Sequence, residues 1–245
     1  MEDFGDERYY ELVTQGRADL NKLYGLAVDA LVHKYFADPV IALEDSLDYS
    51  SEYWISRVEQ FLIHYMPQVL KREAGAAERE DFLGIFGELI VSTDKFAPVL
   101  LHGDFVVQNL YYLPEREGIK ALGLIDFEDM TDARGNVKGS PAFDLVFLLQ
   151  DVRVDLPAEL EDAMCRRFIE KAKIEDVAAF QANYAVIGMA QAVKCLGLFA
   201  RLGYVEKRET YLKFLPYCIR NIERNIKHPQ FAALKQWFKN SRIEI

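Results

Sequence analysis

Apolar side chains recur at three- and four-residue spacing along most of the chain. Leu20, Leu23, Tyr24, Ala27, Leu31 and Tyr35 form one such series, Val58, Phe61, Leu62, Tyr65 and Val69 a second, and Phe82, Ile85, Phe86 and Leu89 a third. A period near 3.6 puts these positions on one stripe, so each series predicts a helix with its apolar stripe against a core. The same pattern predicts helices over 141–151, 156–172, 176–201, 209–226 and 229–239. "ADPVIALEDSLDYSSE" (37–52) reads as a loop, because Pro39 interrupts the period, with a helix starting at Ser50 or Ser51. After Pro98 the pattern changes. "PVLL" (98–101), "NLYYL" (109–113) and "ALGLID" (121–126) are short apolar runs, and the turn-forming "PEREG" (114–118) between the last two predicts a small hairpin. The expected fold class is therefore mainly α with a small β-hairpin region.

Composition narrows the function classes. At 245 residues the chain is long enough to bury a substantial core. A net charge of −10 argues against a nucleic-acid partner, because phosphate contacts require clustered Lys and Arg. The charge is uneven: residues 1–65 hold 13 acidic and 5 basic side chains, whereas 206–245 hold 9 basic and 4 acidic. The basic stretch reads as solvated faces of surface helices. Cys165, Cys195 and Cys218 are far apart, odd in number and set in apolar helical patterns, so they read as reduced core residues. No N-terminal apolar segment with a cleavage site and no run of 18 apolar residues occurs, which predicts a cytoplasmic protein with no membrane partner.

Two stretches carry ionisable groups where the pattern is otherwise apolar. "LLHGDFVVQNLYYL" (100–113) sets Asp104 and Asn109 five residues apart beside a strand. Burying a carboxylate without partners is costly, so the pair is either hydrogen-bonded scaffolding or a site. "GLIDFEDMTDARGNVKGSPAFDLVFLLQD" (123–151) ends a strand at Asp126, follows it with Glu128 and Asp129, and opens a helix at Asp144 after a glycine-containing loop. Adjacent carboxylates at a strand end call for a cation, and hard oxygen ligands of this kind suit Mg²⁺ shared with nucleotide phosphates. Asp104 and Asn109 have the spacing of a kinase catalytic loop, and Asp126-Phe127 falls where the metal-binding Asp-Phe of the second kinase motif lies. Asp144 reads as structural, because it precedes an apolar helix as an N-cap would.

At these residues a family resemblance appears. "HGDFVVQN", "DFED" and "FDLVFLLQDVR" resemble the aminoglycoside-phosphotransferase-like kinases, and within them the cell-wall-recycling anomeric kinases of N-acetylmuramic acid and N-acetylglucosamine. "LPEREG" (113–118), "LGLFARLGYVEKRETYLKFLP" (196–216) and "HPQFAALKQWF" (228–238) extend the likeness nearly to the C-terminus. The resemblance implies the C-terminal lobe of the protein-kinase-like fold, with a hinge-like segment over 1–7, a helical lobe over 8–245, catalytic and metal-binding loops over 100–144, and the N-terminal β lobe absent. It implies Asp104 as catalytic base, Asn109 and Asp126 as Mg²⁺ ligands, and His102, Asp144 and Glu128 in support. It further implies ATP contacts near Glu2 and Asp3, and sugar contacts at Gln191 and Lys194 on the helix "MAQAVKCLGLF" (189–199).

The expected activity is ATP- and Mg²⁺-dependent phosphotransfer to a hydroxyl of a small amino sugar. Two alternatives stand beside it: a phosphotransferase for another small molecule, such as an aminoglycoside, and an inactive lobe kept as a binding or scaffold protein. Val106 stands where the family usually has a histidine, Glu128 where the recycling kinases often have Gln, and Ala192 where they have Arg. A chain beginning at the hinge would have as partners its sugar and either a separate N-terminal lobe or a second copy.

Overall fold

The computed structural model describes residues 3–36, 47–48, 51–93, 96–126, 131–132 and 135–244. In chain order the helices are α1 (Tyr9–Thr14), α2 (Leu20–Phe36), α3 (Ser51–Gln60), α4 (Ala76–Val91), α5 (Phe143–Leu149), α6 (Ala158–Lys171), α7 (Val177–Ala200), α8 (Leu215–Asn225) and α9 (Ala232–Asn240). The apolar stripes account for them, and local chemistry sets their ends. Asp19 Oδ1 accepts from the N–H groups of Asn21 (2.9 Å) and Lys22 (3.3 Å), capping α2. Pro216 lies in the first turn of α8, where a missing N–H costs nothing. α3 starts at Ser51, and the helix then widens into π-type turns over Phe61–Leu70. Pro67 lies in this segment, where it can donate no hydrogen bond and its ring crowds the preceding turn.

The strands are β1 (Leu47–Asp48), β2 (Val99–Leu100), β3 (Leu110–Tyr112), β4 (Leu122–Leu124), β5 (Thr131–Asp132) and β6 (Gly135–Gly139). β3 and β4 form the expected antiparallel hairpin, with Tyr111 opposite Gly123. The sequence left the partner of "PVLL" open, and one expectation is corrected. Strand β2, from "PVLL", pairs antiparallel with β6, in a sheet separate from the hairpin. The segment expected to be a loop before Asp144 carries β6, which also pairs with β1 and β5. Its polar, glycine-bearing sequence lacks the alternation that marks a strand, and three short partners supply its backbone bonds instead.

The chain divides into two compact units, Met1–Asp48 with Phe96–Phe180, and Tyr49–Lys95 with Gln181–Ile245. In the first, α2 packs on α6, and Asp29 of α2 receives Arg167 through two bonds of 2.7 Å and Lys171 at 2.7 Å. Residues 4–8 run beside the hairpin. Tyr112 N–H donates to Glu7 O at 2.7 Å, and the Phe4 ring lies against Gly123, where a Cβ would sit 2.9 Å from it. In the second unit, α3 packs on α4 and α4 on α9 around an aromatic cluster. Phe61 stacks on Phe82 (5.6 Å between centroids), and Phe82 meets Trp237 (4.6 Å). The Trp237 indole N–H donates to Glu78 O at 2.9 Å.

Cys195 and Cys218 are buried free thiols and Cys165 is a partly exposed one. Burial pushes the Cys165 and Cys218 thiols well up from their ordinary value, so both stay protonated. An 18-residue window of Val177–Val205 is long and apolar enough to cross a bilayer by length and composition. Since 78% of that window is buried in the protein, it behaves as a core helix.

Candidate active site

The first unit assembles the chemistry on one short loop. Leu101, Phe105, Val107 and Leu110 are buried and fasten residues 101–110 from beneath. Gly103 takes φ +86, a conformation that side-chain-bearing residues adopt at a cost. The N–H of Val106 returns to Asp104 O (2.9 Å) and that of Asn109 to Val106 O (2.8 Å), which closes the loop into a tight turn. Half-buried Asp104 and buried Asn109 are thereby held on the same side.

Asn109 joins the two carboxylates expected to be functional. Its Nδ2 donates to Asp104 O and Asp104 Oδ2, both at 3.0 Å, and lies 3.5 Å from Asp126 Oδ2. Asp126 is exposed, two residues beyond β4, at φ +65. The Ile125 N–H donates to Asn109 O at 3.1 Å, so β4 leads Asp126 directly to the loop. A carboxylate, a second carboxylate and a carboxamide are thus brought together from positions 104, 109 and 126.

Behind the loop, Asp144 is fully buried. Its Oδ2 accepts from His102 N–H (2.6 Å) and from Tyr35 Oη–H (2.6 Å), and its Oδ1 from Gly103 N–H (3.0 Å). The expectation of an N-cap is corrected: Ala142 occupies that position without a side-chain bond, and Asp144 lies inside the first turn of α5. Its carboxylate serves the loop rather than its own helix, because two backbone donors already point at it.

His102 is also fully buried, and its bonds define its tautomer. Asp104 N–H donates to Nδ1 (3.3 Å), which must be unprotonated to accept. Nε2 then carries the proton and donates to Ile125 O at 3.1 Å. Burial lowers the imidazole pKa, against the opposing pull of Asp144 and Ile125 O, so the ring is neutral. It ties the Asp104 loop to the segment that carries Asp126. Burial and the charge of Asp144 likewise hold the Tyr35 phenol protonated, as its donor role requires. Lys34 lies nearby and donates to Leu100 O; burial lowers its pKa and Asp144 opposes that.

Other expected positions lie elsewhere. Gln191 and Lys194 share one face of α7 in the second unit, with Lys194 Nζ donating to Gln191 Oε1 at 3.2 Å. Asp3 Oδ1 accepts from Gly5 N–H at 2.9 Å in an exposed turn. Glu2 and Glu128 lie outside the described residues. Val106 is buried. Sequence reasoning passed over Lys34, Tyr35 and Asp151. Nothing local marks Tyr35, 109 residues from Asp144. Asp151 had a signal, since it follows Asp144 by two helical turns in an apolar run.

The donor set suits a hard cation. Asn109 and Asp126 supply a carboxamide and a carboxylate oxygen, and Mg²⁺ is commonly held by one or two carboxylates together with substrate phosphates. Among the described residues no group of three or more His, Cys, Asp or Glu forms a closed metal cage.

The helical architecture and a braced Asp-Asn loop facing a strand-end Asp define a kinase-like phosphotransferase fold. Residues 2–180 match the family described as the Phosphotransferase enzyme family, of the aminoglycoside-phosphotransferase type, and the chain belongs to it. Within that family the chain is similar to an N-acetylmuramate/N-acetylglucosamine kinase of Caulobacter vibrioides, 29% identical over 244 residues, covering 97% of this chain and 65% of that protein. It is also similar to a protein of the same name from Neisseria meningitidis serogroup B, 25% identical over 209 residues, covering 80% of this chain and 59% of that protein. The chain thus spans about two thirds or less of the curated relatives it matches. Among solved structures it resembles a choline/ethanolamine kinase family protein from Mesorhizobium loti, with TM-score 0.54, 10% identity and coverage of 95% of this chain and 69% of that one. It also resembles LicA in complex with AMP, with TM-score 0.51, 14% identity and coverage of 89% and 63%. At these identities the two structures speak to the fold alone.

Proposed function

We propose that this chain carries the catalytic and metal-binding loops of an ATP- and Mg²⁺-dependent kinase that phosphorylates a hydroxyl of a small amino sugar. N-acetylmuramate or N-acetylglucosamine, phosphorylated at the anomeric hydroxyl, is the substrate this reading favours. The observation that carries it is the Asp104–Asn109–Asp126 arrangement in a family member whose curated relatives bear that substrate name. Cytoplasmic recycling of cell-wall amino sugars is the setting it implies.

Asp104 orients the sugar hydroxyl and takes its proton as the new O–P bond forms and the bond from the γ-phosphorus to the leaving ADP oxygen breaks. The bond from Asn109 Nδ2 to Oδ2 fixes the Asp104 carboxylate. Asn109 Oδ1 and Asp126 would hold Mg²⁺, which when bound supplies neutralising charge to the phosphates. Buried, neutral His102 keeps the Asp104 and Asp126 segments at fixed separation and exchanges no proton itself. Phosphoryl transfer needs little else from a protein, because positioning and charge neutralisation supply most of the acceleration. Gln191 and Lys194 are the proposed sugar contacts, and the segment around Glu2 and Asp3 the proposed nucleotide contact.

The test is phosphate transfer from Mg·ATP to each sugar, followed by ³¹P NMR, with Asp104→Asn as the comparison. The variant should keep the wild-type unfolding midpoint and turn over about 10²- to 10⁴-fold more slowly. No transfer by the wild type to either sugar would overturn the substrate assignment. An undiminished rate in the variant would remove Asp104 from the mechanism.

A further inference from the structure

Buried carboxylates are rare, because taking a charge out of water is costly unless donors replace the solvent. Asp144 lies in the first turn of α5 and Asp151 just past its end, and only 1% of the Asp151 side chain is exposed. Each carboxylate accepts a backbone N–H from the loop that carries Asp104. Asp144 receives the N–H groups of His102 and Gly103, just before Asp104. Asp151 Oδ2 receives the N–H of Val107 at 3.3 Å, just after Asp104. Its Oδ1 accepts from Arg153 N–H and Arg153 Nη1, both at 3.0 Å.

Helix α2 backs both positions. Tyr35 donates to Asp144, and eleven residues earlier on the same helix the buried Tyr24 phenol lies within electrostatic range of Asp151. Both carboxylates are therefore built into the packing between α2 and the loop, and neither is a surface residue turned inward.

We propose that Asp151 is a positioning residue, the second jaw of a two-point clamp in which α5 grips the catalytic loop on both sides of Asp104. The proposal rests on the reading of Asp104 as the base. The first jaw holds residues 102 and 103 and makes no bond to the turn after Asp104. The bond from Val107 to Asp151 anchors that turn, and with it Asn109, which aligns Asp104. Misplacement by a fraction of an ångström matters in phosphoryl transfer because the reacting groups are already at near-attack distance. Asp151 touches no reacting atom, so its loss should act on turnover while sugar binding stays.

The experiment compares Asp151→Ala, Asp151→Asn and Arg153→Ala with a chain whose Val107 amide is replaced by an ester through incorporation of the α-hydroxy acid. The ester deletes the Val107 donor and leaves Asp151 and its Arg153 partner in place. It therefore tests the clamp even if Asp151→Ala does not fold. Expected are a 10- to 100-fold fall in kcat with sugar KM within about 3-fold for Asp151→Ala and for the ester, from the sensitivity of catalysis to small misplacements. Asp151→Asn, whose carbonyl still accepts, should recover most of that loss, and Arg153→Ala should stay within about 2-fold of wild type on the same reasoning. Amide hydrogen exchange at Val106, Gln108 and Asn109 should accelerate at least 10-fold in the ester chain, a readout independent of turnover. A wild-type chain that transfers no phosphate would sink the kinase reading while exchange still decided the clamp. Unchanged kcat and unchanged exchange in the ester chain, or a loss in Arg153→Ala equal to that in Asp151→Ala, would overturn the proposal.

Discussion

Replacing Asp144 by Asn keeps the volume and removes one acceptor. The native carboxylate serves three donors: Oδ2 takes His102 N–H and Tyr35 Oη–H, both at 2.6 Å, and Oδ1 takes Gly103 N–H at 3.0 Å. An amide has a single oxygen. Its better orientation puts that oxygen at the Oδ2 position, which preserves two bonds and turns the NH₂ toward the Gly103 N–H. Two donors then face each other in a site that is fully buried. One buried donor left unsatisfied costs about 1–3 kcal/mol, and bonds to a neutral oxygen are weaker than bonds to a carboxylate. Lys34, already disfavoured as a cation by burial, also loses the one charge identified as supporting it. The sum is about 3 kcal/mol for Asp144→Asn, and about 4–5 kcal/mol for Asp144→Ala, which orphans all three donors. Urea unfolding at pH 7 should show a lowered midpoint with an unchanged slope, and turnover should fall in the folded fraction as well. A variant within 0.5 kcal/mol of wild type would refute the assignment of Asp144 as the carboxylate on which the loop's backbone donors depend.

Two further outcomes follow from packing and charge in the second unit. At Gly197 a Cβ would lie 2.3 Å from Gln60 C and 2.5 Å from Phe61 N, so Gly197→Ala pushes α7 against backbone that cannot rotate away; at Gly84, exposed in α4, nothing lies within 4 Å. Gly197→Ala should cost about 3 kcal/mol and Gly84→Ala should gain about 0.5–1 kcal/mol, giving Tm shifts of opposite sign in calorimetry; a stabilised Gly197→Ala would contradict the backbone contact. The Arg72 guanidinium holds Glu78 down to about 2 through bonds of 2.8 and 2.9 Å. A depressed carboxyl stabilises the fold above its unfolded pKa and loses that contribution as pH falls toward its folded one. The stability gap between wild type and Glu78→Gln should therefore be about 1 kcal/mol at pH 6 and shrink steadily from pH 5 to pH 3; a gap independent of pH would show that the pair contributes no ionic stabilisation.

The sequence by itself determined the helices, the hairpin and the loop that carries Asp104 and Asn109. Those features depend on neighbours within a turn or two: apolar period, a turn-forming "PEREG", and a glycine where φ is positive. It also placed Asp126 at the end of a strand, because an apolar run that stops at a carboxylate is visible without a partner. Tertiary structure alone decided which groups meet. The acceptor for His102 Nε2 is Ile125 O, a donor for the Asp144 carboxylate is Tyr35 more than a hundred residues away, and β6 pairs with three strands that its own polar sequence does not announce. Asp144 shows the division best. Its place at the start of a helix was legible, as an N-cap, yet it lies inside the first turn and its carboxylate turns to the Asp104 loop, because the backbone donors that satisfy a buried carboxylate come from wherever the fold brings them.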